Sequence, residues 1–402
     1  MPPIRFIHAA DLHLDAAFSG LSRDTPADFA ERLRTATFTA FRRLLDLCER
    51  ESPDFLLLAG DVYNQEDASV SAQLALRDGF RRLESLSIPV FLVHGNHDPL
   101  ASRLRSVRWP GNVTVFGELP DAVPVFRKGE GTPLAIIHGA SHASGRETRN
   151  LAALFRRTEA YGLHVGLLHA TPGDADGVAR YAPFSQEDLK ASGMDYWALG
   201  HIHDRREVCR EPLAAYPGCT QGLHINEPGE KGCLLVTAEA RPDGGYAVRT
   251  SFRPLGPAVW KTLDMDLGGA ASLDELENRL RTGLDRAAAE VWSGCEMLLV
   301  RLRLQGRTEL DGLLRKGTTC AELADRLRED GSGVPRIWIK DIDVATRPCV
   351  ERGALLERED LLGEVFRLSD AVLQGNYDGA ARILGDLLKM QTEPIMILAA
   401  LG

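Results

Sequence analysis

The chain has 402 residues, 44% hydrophobic and 26% charged, with a formal net charge of −10. That length accommodates two or three domain cores, and the composition excludes a disordered or fibrous chain. No apolar run approaches the roughly 20 residues of a bilayer crossing, and Met1-Pro2-Pro3-Ile4-Arg5-Phe6 lacks the apolar core of a signal peptide, so a cytoplasmic location with no membrane partner is expected.

In chain order, apolar runs at 4–9, 55–59, 90–93, 134–138, 165–168 and 196–199 read as buried strands. Helix-period segments lie between the early ones, at 28–50 and 69–86. This alternation predicts an α/β layered domain. Two further strands, 232–237 and 246–252, come without an intervening helix and suggest an antiparallel or mixed second sheet. Pro254-Leu255-Gly256-Pro257 punctuates the chain and marks the first boundary. Beyond it a strand–helix–strand–helix–strand pattern over 258–344 reads as a small α+β domain, with Ser272 and Glu275 forming a capping box. A linker at 345–356 leads to two helical stretches, 359–373 and 377–390, broken by Gln374-Gly375-Asn376. The expected domains are thus 1–253, 258–344 and a C-terminal helical hairpin within 357–402. The hairpin's apolar stripes, with Leu361, Leu362, Val365, Phe366, Val372 and Leu373 on one helix, suit packing on its own domain or docking on another chain. The tail at 394–401 is expected to be docked. Seven scattered cysteines, with no close pair, read as reduced thiols.

Five short polar segments follow the apolar runs: Asp11-Leu12-His13, Gly60-Asp61, Gly95-Asn96-His97-Asp98, His169, and Gly200-His201-Ile202-His203. Strands of one sheet deliver their following loops to one edge, so the segments can converge. Side chains at i and i+2 of an extended segment share a face, which lets Asp11 and His13 reach one ion, and His201 and His203 likewise. The Asp61 carboxylate can bridge two ions, and Asn96 offers an amide oxygen. Seven such oxygen and nitrogen donors suit hard or borderline divalent metals, and His97 is left over. Each segment alone is weak: Gly-Asp and Gly-Asn are common turns. Their order and their shared position after strands carry the reading, which is hydrolysis of phosphate esters by a two-metal site.

That order of motifs resembles the calcineurin-like metallophosphoesterase superfamily. Within it, Phe6-Ile7-His8-Ala9-Ala10-Asp11-Leu12-His13-Leu14-Asp15, Tyr216-Pro217-Gly218-Cys219-Thr220-Gln221-Gly222 and Lys231-Gly232 are similar to the SbcD-like and YhaO-like DNA repair exonuclease branch. The resemblance implies a two-sheet sandwich flanked by helices, a small α+β domain capping the site, and a hairpin that grips an SbcC-like coiled-coil ATPase. It implies one metal held by Asp11, His13, Asp61 and His203, and a second by Asp61, Asn96, His169 and His201. The two divalent ions would be manganese, although the ligands suit iron or zinc equally. His97 would protonate the leaving oxygen or stabilise the transition state, and Asp98 would orient it. A water activated by both ions would attack phosphorus in line. One departure stands out: the related nucleases carry histidine three residues after the Gly-Asp aspartate, where this chain has Asn64. An amide can hydrogen-bond a phosphate but cannot donate a proton as an imidazolium does.

Further substrate contacts are assigned to His142, beside the 134–138 strand, and to Arg103 and Arg105, which with Arg108 follow the His97 loop. A solvated face is the alternative reading of those arginines. His8 and His94 read as core groups or supports for the ligands, and His224 as a loop residue near the site. The expected function is a metal-dependent DNA nuclease in DNA repair, an exonuclease whose site is also open to endonucleolytic cleavage, with DNA and the ATPase as partners and a homodimer left open. A small-molecule or cyclic-nucleotide phosphodiesterase is the alternative. Residues 1–253 carry 28 basic and 32 acidic side chains, a balance that predicts weak DNA binding by the chain alone.

Overall fold

The computed structural model describes residues 2–19, 25–64, 69–101, 107–174, 179–242, 244–329, 333–349 and 352–389. The chain divides into two compact units, one of residues 1–263, 281–302 and 324–342, the other of 264–280, 303–323 and 343–402.

Two six-stranded sheets make up most of the first unit. In one, β1 (Ile4–Ala9), β2 (Phe55–Ala59), β3 (Val90–Val93) and β4 (Val113–Val115) are parallel neighbours. The other is built from β5 (Asp121–Val125), β6 (Ala135–Ala140), β7 (Leu163–His169), β8 (Tyr196–Gly200), β9 (Arg206–Arg210) and β10 (Leu213–Tyr216), in the order β5-β6-β7-β8-β10-β9. β11 (Gly232–Ala240) and β12 (Tyr246–Pro254) then return to the first sheet, where β11 pairs antiparallel with β1. The hairpin pattern of these two strands is visible in the sequence, but their place in a second sheet is corrected. Their partner, the free edge of β1, is more than 200 residues away, and alternation within a strand does not name a partner.

The inner strands are buried on both faces, which is why they read as unbroken apolar runs. Along β2, Phe55, Leu57 and Ala59 join a core with Ile137, Val165 and Leu167 of the other sheet. Leu56 and Leu58 face the opposite way, into a core with Leu44, Leu76 and Phe80. Those last residues come from α2 (Ala36–Glu51) and α3 (Val70–Ser85), which follow α1 (Ala27–Arg34). Each buried Leu or Phe contributes about 1.5–3 kcal/mol relative to exposure, so the strand ends are firmly anchored. The expected helix over 28–50 is broken at Thr35, whose hydroxyl donates to the carbonyls of Glu31 and Arg32 and competes with the backbone ladder. α3 starts as the sequence indicates, with Ser69 Oγ accepting from the Ala72 N–H at 3.0 Å. A short helix, α4 (Gln186–Ala191), precedes β8.

Later in the chain, β13 (Ala258–Asp266), β14 (Met297–Gln305) and β16 (Arg336–Val344) form a three-stranded sheet with β14 central. β15 (Arg307–Thr308) pairs with β17 (Arg347–Pro348). The helices of this stretch are α5 (Leu273–Glu290), α6 (Asp311–Leu314), α7 (Gly317–Glu329) and α8 (Arg352–Leu356). Ser272 Oγ caps the Glu275 N–H at 3.2 Å, while Glu275 returns its carboxylate to the Ala271 N–H. In the second unit, α9 (Leu361–Leu373) and α10 (Tyr377–Lys389) form the helical hairpin, turning at Gly375 with φ +72°. Its inner face is Val365, Leu368, Ala371, Ala380 and Leu387. Much of the expected stripe points outward instead: Leu373 is 79% exposed, Val372 48% and Leu361 39%. The tail at 394–401 lies outside the described residues.

Candidate dimetal centre

The ends of β1, β2 and β3 meet those of β7 and β8. The Asp11 N–H donates to the Gly60 carbonyl and the His13 N–H to that of Asp61, both at 3.1 Å. Four of the seven expected donors sit in left-handed backbone: Asp11 (φ +50°), His13 (+41°), Asp61 (+50°) and His201 (+103°). Such conformations cost on the order of 1–3 kcal/mol each in non-glycine residues, a strain that functional sites concentrate. Small residues make the close approach possible. A Cβ on Gly95 would lie 2.2 Å from Asp61 Oδ1, and one on Gly200 would lie 1.8 Å from the Ala59 carbonyl oxygen.

The donors gather into two groups, Asp11–His13–His203 and Asp61–His169–His201, each with its ligand atoms within 4.8 Å of one another. Asp61 stands between them: its Oδ2 is 3.3 Å from His169 Nε2 and 3.9 Å from His13 Nε2. Asn96 Oδ1 is 3.0 Å from His169 Nε2. Each imidazole spends one nitrogen on an oxygen outside the cluster. His13 Nδ1 donates to Asn64 Oδ1 (2.7 Å), His169 Nδ1 to the Ala59 carbonyl (2.9 Å), His201 Nε2 to the Ala179 carbonyl (3.2 Å) and His203 Nδ1 to Glu227 Oε1 (2.5 Å). That outward bond fixes the tautomer and turns the remaining lone pair inward, as metal-ligating histidines do. His13 Nε2 and His203 Nε2 consequently face each other at 3.2 Å. Two lone pairs at that distance repel unless a cation lies between them, so the donor set fits divalent metal.

The same residues strongly perturb one another's protonation. Burial alone would raise Asp61, but His169 and His13 outweigh it and hold the carboxyl below the usual range. Burial would lower His169, yet Asp61 beside it wins and pushes it up to about 9. His201 is lowered to about 3 by burial and by His169. Burial raises Asp11, against the pull of His169 and His203.

The remaining expected residues separate. His97 is exposed at the cluster's rim, its backbone N–H donating to Asp61 Oδ1 at 3.0 Å and its ring 5.2 Å from that of His13. Asp98 is fully buried, and its carboxylate accepts from the Gly95 and Val62 N–H groups at 2.7 and 3.1 Å. It therefore fixes the loop that carries His97, whereas the expectation had it contacting the His97 ring. Asn64, expected to touch phosphate, has its amide oxygen taken up by His13. His142, expected at the substrate groove, is fully buried and donates from Nε2 to the His169 carbonyl at 2.6 Å. Its place just past β6 had suggested the edge of the groove, but the ring turns inward to the end of β7. Arg103 and Arg105 lie outside the described residues. His8 links the two sheets through Tyr196 Oη (2.9 Å) and the Leu199 carbonyl (3.1 Å).

The sequence reading missed Glu227. It is buried, accepts from His203 and, through Oε2, from the Leu223 N–H at 2.7 Å. Burial would raise its carboxyl, but His203 wins and holds it at about 2. It lies 24 residues beyond His203, in a loop before Pro228-Gly229, where no motif spacing marks it.

A family model described as calcineurin-like phosphoesterase matches residues 4–205, and one described as the middle domain of metallophosphoesterase YhaO matches 260–347. The chain is similar to the metallophosphoesterase YhaO of Bacillus subtilis, 36% identical over 348 residues that cover 85% of this chain and 82% of that relative. It is also similar to the DNA double-strand break repair protein Mre11 of Aeropyrum pernix, 27% identical over 72% of this chain and 69% of the relative. The Mre11 of Haloferax volcanii is 24% identical over 91% and 78%. The chain belongs to the calcineurin-like phosphoesterase family, in its YhaO-like branch.

Proposed function

We propose that this phosphoester hydrolase is a manganese-dependent DNA nuclease that works with an SbcC-like coiled-coil ATPase in the cytoplasm. The observation that carries the reading is the pair of donor groups sharing Asp61, with His97 exposed at their rim. In this reading Asp11, His13, Asp61 and His203 hold one ion, and Asp61, Asn96, His169 and His201 the other. When bound, such a pair supplies Lewis acidity toward the phosphoryl oxygens and the attacking water. The chain's own residues do the rest. Asn64, Glu227 and the carbonyls of Ala59 and Ala179 aim the imidazoles. Asp98 pins the loop so that His97 stands over the substrate phosphate and delivers a proton to the leaving oxygen.

DNA as substrate is supported by the Mre11 relatives, whose name is that of a double-strand break repair protein. An ATPase partner is supported by the outward apolar residues of α9 and α10, a face of the kind that docks another helix. The acidic balance of the chain fits a nuclease whose grip on DNA comes from that partner.

A manganese-dependent assay on matched linear, hairpin, single-stranded and cyclic-nucleotide substrates tests the reading. Cleavage of DNA is expected. Turnover confined to cyclic or mononucleotide substrates refutes it. Leu373→Glu with Leu388→Glu should abolish capture of the ATPase; undiminished capture would remove the hairpin from the interface.

A further inference from the structure

Arg205 and Arg206 follow the metal-donor segment directly. Arg205 is two residues after His203, so its Cα lies within about 7 Å of that residue's. Both side chains are exposed, and among the described residues neither forms an ion pair with a carboxylate. Other arginines of the same unit are spent on acids: Arg5 on Glu51, Arg43 on Glu296, Arg127 on Asp54 and Arg157 on Asp195. The preceding residue, Asp204, is engaged by the buried Lys231, whose Nζ donates to Asp204 Oδ1 at 3.0 Å and to the His203 carbonyl at 3.1 Å.

The two guanidinium groups are also held in place. Arg205 Cζ lies 4.0 Å from the centroid of the Phe252 ring, and Arg206 Cζ 5.6 Å from that of Tyr216, its cross-strand partner. A cation–π contact of this kind restricts the side chain while leaving N–H donors available. These groups line a cleft of about 330 Å³ with Glu207, Tyr216, Thr250 and Phe252. Gly218, at φ +81°, permits the close loop packing beneath: a Cβ there would be 2.7 Å from the His203 carbonyl oxygen and 3.1 Å from Arg205 N.

We infer that this cleft binds a backbone phosphate of the substrate strand, one or two nucleotides from the bond that is cut. A rigid guanidinium fork matches phosphate oxygens bidentately. Base stacking fits less well, because Tyr216 is fully buried and Arg205 already lies over a face of Phe252. The inference rests on the nuclease reading above and extends it, since it makes the enzyme a reader of a polynucleotide chain.

The test uses the full chain loaded with manganese, with Arg205→Gln, Arg206→Gln and the double variant. Two substrates are compared: bis(p-nitrophenyl) phosphate, which has a single phosphate, and a short single-stranded oligonucleotide. In the double variant the ratio of kcat/KM for oligonucleotide over diester should fall about tenfold or more, carried by KM. The slope of log(1/KM) against log salt should flatten by about 0.7, the value for one lost phosphate contact on a single strand. An unchanged ratio and slope in a wild-type-active background, including a parallel loss on both substrates, overturns the cleft assignment alone. Wild type that cleaves the diester and no oligonucleotide overturns the nuclease reading and this inference with it.

Discussion

Replacing Glu227 by Gln isolates one support of the proposed metal centre. Both carboxylate oxygens act as acceptors, Oε1 from His203 Nδ1 at 2.5 Å and Oε2 from the Leu223 N–H at 2.7 Å. A glutamine has one acceptor, so its NH₂ group must confront one of those two N–H donors. The charge is lost as well, and a carboxyl held at about 2 is ionised throughout the neutral range. Removing such an outer partner typically weakens metal binding about 10–100-fold, which is about 1.4–2.7 kcal/mol. The loss should fall on the ion beside Asp11, His13 and His203. Glu227 makes no bond to Asp61, His169 or His201, so the second ion should keep its affinity. Calorimetric titration with manganese, with metal content checked by mass spectrometry, resolves the two steps. Two unaltered affinities, or equal weakening of both, would refute the reasoning.

His97→Ala should lower hydrolysis by about 10²–10⁴ while both ions stay bound; metal analysis showing an emptied site would contradict its role at the rim. Gly95→Ala places a Cβ against Asp61 and His169. Thermal or denaturant unfolding should show a loss of about 1–3 kcal/mol, accompanied by reduced metal content, and a variant as stable and metal-replete as wild type would contradict the packing. His8 is lowered from 6.5 to about 3 by burial, so it stays neutral in the fold while the unfolded chain takes up a proton below 6.5. Its contribution is therefore intact above pH 6.5 and is lost as pH falls toward 3, amounting to about 2 kcal/mol at pH 5. His8→Gln should flatten the acid limb of stability by that amount; an identical limb, measured by urea unfolding between pH 6.5 and 5, would exclude His8 as its source.

The strands that carry the site were legible because each is buried on both faces and leaves an unbroken apolar run: Phe55 to Ala59 and Val90 to Val93 have no exposed position. The edge strands were not. β9 has exposed Arg206, Glu207 and Arg210, and β5 exposes Asp121 and Pro124, so neither shows an apolar signature. Asp11, His13, Asp61, Asn96, His169, His201 and His203 stood out because each closes a strand. Their supports were not legible as such: no motif marks Glu227, and Asn64, visible only as a departure from the related nucleases, reaches His13 across a loop. His142 and Asp98 illustrate the same limit: spacing placed both near the site, and only three-dimensional packing shows His142 bonded to the His169 carbonyl and Asp98 inside the loop.

The most direct measurement is anomalous diffraction from a crystal of the full chain grown with manganese. Two peaks are expected, one among Asp11, His13 and His203 and one among Asn96, His169 and His201, each within bonding distance of the Asp61 carboxylate. A single peak, or a pair that does not share Asp61, would contradict the account.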